Sequence, residues 1–214
     1  MQLPGLQLQH ATHWSPPMPR SLTFYYDYIS PYTYMAWTQI DAIAQRAQAS
    51  IDYRPFRLGE LMRQVGNRPT TIECANKGKY AARDLARWAG RYQVEFTRNP
   101  NWGKFDHLPM LRGALAAIEQ GCIEPYNKAM FRAMWVESAN LGERDTFSST
   151  LGRVGLDGNA LAESAFSDQY EERLAGSVKE AAERGVFGSP TFFVGEEHFF
   201  GNDRLDFVQQ ALAA

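Results

Sequence analysis

Ser21-Leu22-Thr23-Phe24-Tyr25-Tyr26-Asp27-Tyr28-Ile29-Ser30-Pro31-Tyr32 is the stretch on which the fold turns. Its first seven residues, SLTFYYD, are short and dense in aromatics, the mark of a strand. With a period of two, Leu22, Phe24 and Tyr26 share one face, and Thr23 and Tyr25 share the other. Ser30-Pro31 then opens a helix. Serine is a favoured N-cap because its oxygen accepts from a free N–H of the first turn, and proline suits the first helical position, where its missing N–H is not needed. Ala36, Ile40, Ile43 and Ala47 recur at helical spacing, which puts the helix over residues 31–47. Residues 51–56 (IDYRPF) read as a second strand with Pro55 near its end. Strand, helix, strand predicts a right-handed crossover between parallel strands.

Beyond this unit, residues 59–167 read as helical with breaks. Gly66-Asn67-Arg68-Pro69 is a turn. Residues 77–92 are amphipathic, with Tyr80, Leu85 and Trp88 set against a solvated row of Arg83, Arg87 and Arg91. Residues 98–109 form an irregular loop, and helices follow over 110–120, 124–138, 143–154 and 157–166. A long helix over 169–184 closes on Gly185. Residues 191–194 and 198–200 are strands joined by a turn at Gly195. Asn202 caps a last helix over 203–213, with an acid in its first turn as the helix dipole prefers. The outer parts, 21–58 and 168–214, then form one sheet-and-helix domain, and 59–167 is an insertion into it. Residues 1–20 are expected to be a disordered or loosely packed extension, since Pro4, Pro16, Pro17 and Pro19 break any helix or central strand. This stretch has neither the basic start nor the apolar run of a secretory signal, and Met18 is a candidate original start. His10 and His13 have no carboxylates nearby and read as solvated.

Composition narrows the function. The chain has 214 residues, with 22 Lys+Arg against 24 Asp+Glu and a formal charge of −2. So even a balance removes the electrostatic case for a nucleic-acid binder. No apolar run approaches the roughly 20 residues of a membrane-spanning helix. Cys74 and Cys122 are the only cysteines, too far apart for a CxxC pair and too few for a zinc site. They read as two buried thiols in a reducing, cytoplasmic setting, and no metal is expected.

Several motifs fall in a telling order. Asp27-Tyr28-Ile29-Ser30-Pro31-Tyr32 lies between first strand and first helix, where thioredoxin-like proteins carry their active-site motif. Gly188-Ser189-Pro190-Thr191-Phe192 matches their cis-proline segment. Phe200-Gly201-Asn202-Asp203-Arg204-Leu205 resembles the C-terminal signature of the glutathione-dependent branch. Arg54-Pro55-Phe56, Gly66-Asn67-Arg68-Pro69 and Asp84-Leu85-Ala86-Arg87-Trp88 also match that branch. From about residue 22 to 214 the chain resembles the 2-hydroxychromene-2-carboxylate isomerases of the DsbA-like superfamily, close to kappa-class glutathione transferases. The resemblance implies an α/β fold, a thioredoxin-like domain with a large all-helical insertion, and also a homodimer.

It implies glutathione as cofactor as well. A redox thioredoxin needs a cysteine at position 30, and this chain has Ser30-Pro31-Tyr32-Thr33. Exchange by a protein thiol is therefore excluded there. A serine hydroxyl can instead donate to a thiolate that a ligand supplies. One charge-assisted bond of about 1.5–3 kcal/mol, together with the helix dipole, lowers a thiol pKa by about one to two units. Ser30 is thus the expected catalytic residue. The resemblance makes the Ser189–Pro190 bond cis, although only about 5–6% of such bonds are cis in folded proteins. The Ser189 backbone can then pair with the cysteinyl part of glutathione. Phe200, Gly201, Asn202 and Asp203 are expected at its γ-glutamyl end, and Asn67 as a further contact. Asn67, Arg68, Lys79 and Tyr80 are candidates for the aromatic substrate, with Arg68 suited to a planar carboxylate. The chemistry implied is reversible thiolate addition to a bicyclic aromatic-catabolism intermediate, giving trans-o-hydroxybenzylidenepyruvate. The alternatives are a kappa-type glutathione transferase or peroxidase, and a protein that binds glutathione or an aromatic acid without catalysis. The relatives often carry a small aliphatic residue where this chain has Ser189.

Overall fold

In the computed structural model, which describes residues 20–214, the opening stretch folds as read. β1 (Ser21–Tyr26) leads into α1 (Pro31–Ala47) and back through β2 (Ser50–Pro55), parallel to β1 with Leu22 opposite Ile51 and Phe24 opposite Tyr53. β3 (Thr191–Val194) pairs antiparallel with the other side of β1, Phe24 opposite Phe192, and β4 (Glu197–Phe200) pairs antiparallel with β3. The order is β2-β1-β3-β4. β2 is an edge strand, the position where a residue such as Pro55 is tolerated.

Between β2 and β3 the chain is helical: α2 (Leu58–Gln64), α3 (Thr70–Glu73), α4 (Ala75–Tyr92), α5 (Leu108–Glu119), α6 (Ile123–Trp135), α7 (Arg144–Gly152), α8 (Gly158–Ala165) and α9 (Glu171–Glu183). After β4 a 3-10 turn, Asn202–Arg204, precedes α10 (Leu205–Ala213). The alternation in β1 decides the packing. Leu22, Phe24 and Tyr26 are buried in the larger core with Met35 and Ile40 of α1, Phe131 and Trp135 of α6, and Val208 of α10. Tyr25 faces the other way, into a smaller cluster with Phe56, Leu61, Val178 and Phe193. The Phe24 ring stacks on Phe192 with centroids 5.1 Å apart. Because the larger core runs from β1 through α5–α8 without a break, the intervening helices are held by the same apolar burial as the sheet. Among the described residues no helix is long and apolar enough to cross a membrane.

Some expectations are corrected. Tyr80 does not share the buried face of α4 and is 61% exposed. The buried positions are Ala81 and Leu85, continued by half-buried Trp88 and Tyr92, whereas a step of five from 80 to 85 leaves the stripe. Cys74 is exposed and Cys122 half-buried, so the pair is not two buried thiols. α6 stops at Trp135, short of 138, because Ser138 adopts a left-handed backbone (φ 57°) and the chain doubles back to place Ala139 N–H on Ala133 O at 2.9 Å. Asn202 does not cap an α-helix. It opens the three-residue 3-10 turn, without a side-chain cap, and α10 begins only at Leu205.

Candidate active site

The site is built where β1 ends and α1 begins. Ser30 Oγ accepts from Thr33 N at 3.2 Å, which is the N-cap bond foreseen from the sequence. The same hydroxyl donates to Ser189 O at 3.1 Å. The Ser189–Pro190 bond is cis. Ser30 is 7% exposed and Ser189 8% exposed, so both sit at the floor of the site and not on an open surface. Ser30 and Thr33 stand at the two positions where a CxxC pair would lie, and both hydroxyls engage Ser189. Thr33 Oγ1 lies 2.7 Å from Ser189 Oγ.

Ser189 Oγ also accepts from Asp27 N at 3.1 Å. A small aliphatic residue here would offer no acceptor, so the serine adds a cross-tie between the cis-proline segment, the end of β1 and the first turn of α1. Asp27 is fully buried. Its carboxylate accepts from Ile29 N at 3.2 Å and from Leu58 N at 2.9 Å, joining the loop after β1 to the loop after β2.

Three ring nitrogens from the helical segment meet the residues that precede Ser30. Trp102 Nε1 donates to Ile29 O at 2.8 Å, and Trp135 Nε1 donates to Tyr28 O at 2.8 Å. His107 Nε2 lies 3.6 Å from Asp27 Oδ2, the range of an ion pair. Burial alone would lower the His107 pKa, but the Asp27 carboxylate overrides it and holds the imidazole above its ordinary value. Sequence reading gave none of these three a role at Ser30. Beside the helix start, Tyr32 donates to Asp84 at 3.4 Å, and Trp88 Nε1 to the same carboxylate oxygen at 3.2 Å. Burial and then Asp84 push the Tyr32 hydroxyl up to about 12, so it stays protonated near neutrality and keeps its proton for Asp84.

The other candidates divide. Gly201 N donates to Pro190 O at 3.0 Å, and Tyr92 OH donates to Asn202 O at 2.8 Å. Asn202 is 3% exposed, and its Nδ2 has no hydrogen-bond partner. Asp203 is exposed and pairs with Arg204 at 2.6 Å. The Phe200 ring covers Gly188 so closely that an added Cβ would sit 2.6 Å from it, and it packs against Phe187 with centroids 4.7 Å apart. Asn67 Nδ2 donates to Phe187 O at 2.6 Å, which ties that turn to the cis-proline segment. Ser30, Asn67, Ser189, Pro190, Phe200, Gly201 and Asn202 are thus linked through shared contacts. Arg68 is turned to Glu73 at 2.9 Å, and Lys79 and Tyr80 are exposed on α4 with no contact joining them to Ser30. The surface hollow lined by Tyr34, Trp37, Lys128 and Arg132 includes none of the candidates. Among the described residues no group of three or more His, Cys, Asp or Glu could hold a metal ion.

A helix start that faces a cis-proline at the head of the neighbouring strand sets the frame for comparison with known proteins. The DSBA-like thioredoxin domain matches residues 21–213, and the chain belongs to that superfamily. A 2-hydroxychromene-2-carboxylate isomerase from Sphingobium xenophagum is 33% identical over 196 residues, which is 91% of this chain and 99% of that protein. Within the superfamily the chain belongs to the 2-hydroxychromene-2-carboxylate isomerase family. A solved 2-hydroxychromene-2-carboxylate isomerase structure matches with a TM-score of 0.82 at 28% identity, over 90% of this chain and 94% of the other. Glutathione S-transferase kappa 1 of Caenorhabditis elegans is 28% identical over 210 residues, 92% of each chain.

Proposed function

We propose that the protein is a glutathione-dependent isomerase of 2-hydroxychromene-2-carboxylate or a related bicyclic aromatic carboxylate. The observation that carries this reading is a hydroxyl, Ser30 Oγ, at the thiol position of a thioredoxin-type helix start and bonded to the carbonyl beside the cis-proline. The relatives' names supply the reaction. Glutathione supplies, when bound, a thiolate that adds reversibly to a conjugated carbon and leaves again, so the tripeptide is not consumed.

The residues present suit that tripeptide. The Asn202 side-chain N–H group is buried without a partner, a costly arrangement that a bound acceptor would relieve. Ser30 Oγ–H now points at Ser189 O. A ligand backbone N–H placed on Ser189 O replaces that donor and frees the hydroxyl hydrogen for a sulfur. Ser30 Oγ meanwhile keeps its bond from Thr33 N, so the side chain turns only its proton and stays in place. The positive end of the α1 dipole adds potential of the right sign at the same spot. Asp203, held by Arg204, offers a carboxylate to the γ-glutamyl ammonium. Asn67 offers a side-chain amide from the turn bonded to Phe187.

In Ser30→Ala, turnover is expected to fall about 10–100-fold, the worth of one hydrogen bond to a charged group, while calorimetric glutathione affinity changes far less. Unchanged turnover would remove Ser30 from the role. The kappa-class relative in Caenorhabditis elegans keeps a second reading in view, a transferase that consumes glutathione. Total thiol stays constant during turnover by an isomerase and falls during turnover by a transferase.

A further inference from the structure

The turn that delivers Ser30 is not held by the sheet alone. Tyr28 O, Ile29 O and the Asp27 carboxylate each meet a ring nitrogen, from Trp135, Trp102 and His107 respectively. Trp135 ends α6, while Trp102 and His107 stand on the connection between α4 and α5. Indole N–H groups do not titrate, so two of these ties persist at any ordinary pH. The third joins a carboxylate with no solvent exposure to an imidazole that carries charge only when protonated.

We infer that His107 is a positioning residue: as imidazolium it neutralises the buried Asp27 carboxylate and thereby holds the Asp27–Ile29 turn, and with it Ser30, against the helical segment. A buried carboxylate is costly without a counter-charge. The backbone donors Ile29 N and Leu58 N satisfy its lone pairs but bring no net charge. His107 does. The remaining charged groups around the imidazole are Asp106 on its own loop and Arg57 from the loop after β2. Arg57 is already committed to Glu60 at 3.2 Å and to Glu171 of α9, and Glu171 is shared with Arg112 of α5 at 2.6 Å. Arg112 also meets Asp168 at 3.5 Å. Both terminal guanidinium nitrogens are so occupied and Arg57 makes no ion pair with Asp27, so among the described residues His107 is the cation that meets Asp27. Asp27 in turn holds Ile29 N through its carboxylate and Ser189 Oγ through its own N–H, so the same residue orders both sides of the Ser30–Ser189 contact.

The sign follows from the raised affinity of the imidazole for its proton. The pair is complete below the ordinary histidine range, about pH 6.5, and is lost as pH rises through the higher value in the folded protein. The inference bears on the site of the proposed isomerase, yet its test needs neither substrate nor glutathione. In the free protein, NMR titration from about pH 5 to 9 follows the imidazole signals together with the amide signals of Asp27, Ile29 and Ser30. The signal absent from His107→Gln identifies the imidazole. The expected result is a midpoint above that of an ordinary histidine, the same midpoint in the three amides, and loss of that transition in His107→Gln. A midpoint at or below the ordinary value, or amides that stay flat while His107 titrates, would overturn the inference. Failure of the isomerase assay with these NMR results intact would count against the proposed reaction alone. Where the reaction is confirmed, His107→Gln is expected to lose the corresponding limb of the kcat–pH profile while its glutathione Kd changes little.

Discussion

The two oxygens of Ser189 join the cis-proline segment to the end of β1 and to the first turn of α1. Ser189 Oγ accepts from Asp27 N and shares a short contact with Thr33 Oγ1, while Ser189 O takes the Ser30 hydroxyl. In Ser189→Ala the Asp27 N–H is left buried without an acceptor, a loss of about 1–3 kcal/mol. Urea denaturation is expected to show a drop in that range, and a variant as stable as the parent would mean that water or a shifted backbone takes over the bond. At this scale the sequence was informative about identity and silent about partners. Ser30 as N-cap is written in Ser-Pro itself, since the cap bond is local. The reach of Ser189 to Asp27 spans most of the chain and leaves no periodic trace, so the hydroxyl read as a departure from the relatives' pocket lining instead of a cross-tie.

Among the elements, the corner between β4 and the 3-10 turn is the most constrained. Gly201 has φ 100°, which side-chain-bearing residues avoid, and an added Cβ would meet Asp203 Oδ1 at 2.5 Å. Gly201→Ala is therefore expected to cost about 1 kcal/mol or more in stability and to displace the Asp203 carboxylate. Calorimetry should show a weaker glutathione Kd, and an unchanged Kd would detach Asp203 from the γ-glutamyl role. The elements themselves were readable where one physical signal dominated: aromatic alternation gave β1, and Ser-Pro gave the start of α1. Tyr80 lies off the buried stripe because the step of five from 80 to 85 does not fit the 3.6 period of α4. The last helix was misplaced because Asn and an acid at a helix start look alike in sequence, whether an α-helix or a 3-10 turn follows.

Across the whole molecule, Glu171 joins parts that are remote in sequence. It receives Arg57, beside α2, and Arg112 of α5, and hydrogen bonds from these two guanidiniums hold its pKa below the usual carboxylate range. A depressed acid stabilises the fold above its unfolded pKa, near 4.3, and loses that contribution as pH falls through the folded value. The urea midpoint of the parent should therefore exceed that of Glu171→Gln near neutrality, and the gap should close in acid. Added salt should narrow it, because the Glu171 side chain is partly exposed. A gap that persists unchanged into acid would assign the effect to packing. None of this network was legible in the sequence, where charges on 57, 112 and 171 carry no shared spacing.

The indole ties have one more consequence. Trp102 reaches Ile29 across 73 positions, and Trp135 reaches Tyr28 across 107. During synthesis the opening strand and helix emerge early, yet the turn between them waits for partners that leave the ribosome much later. Catalytic competence is accordingly a late property of a nascent chain whose first secondary structure is early. A shortened chain that ends before residue 135 would keep the serine and lack the machinery that aims it.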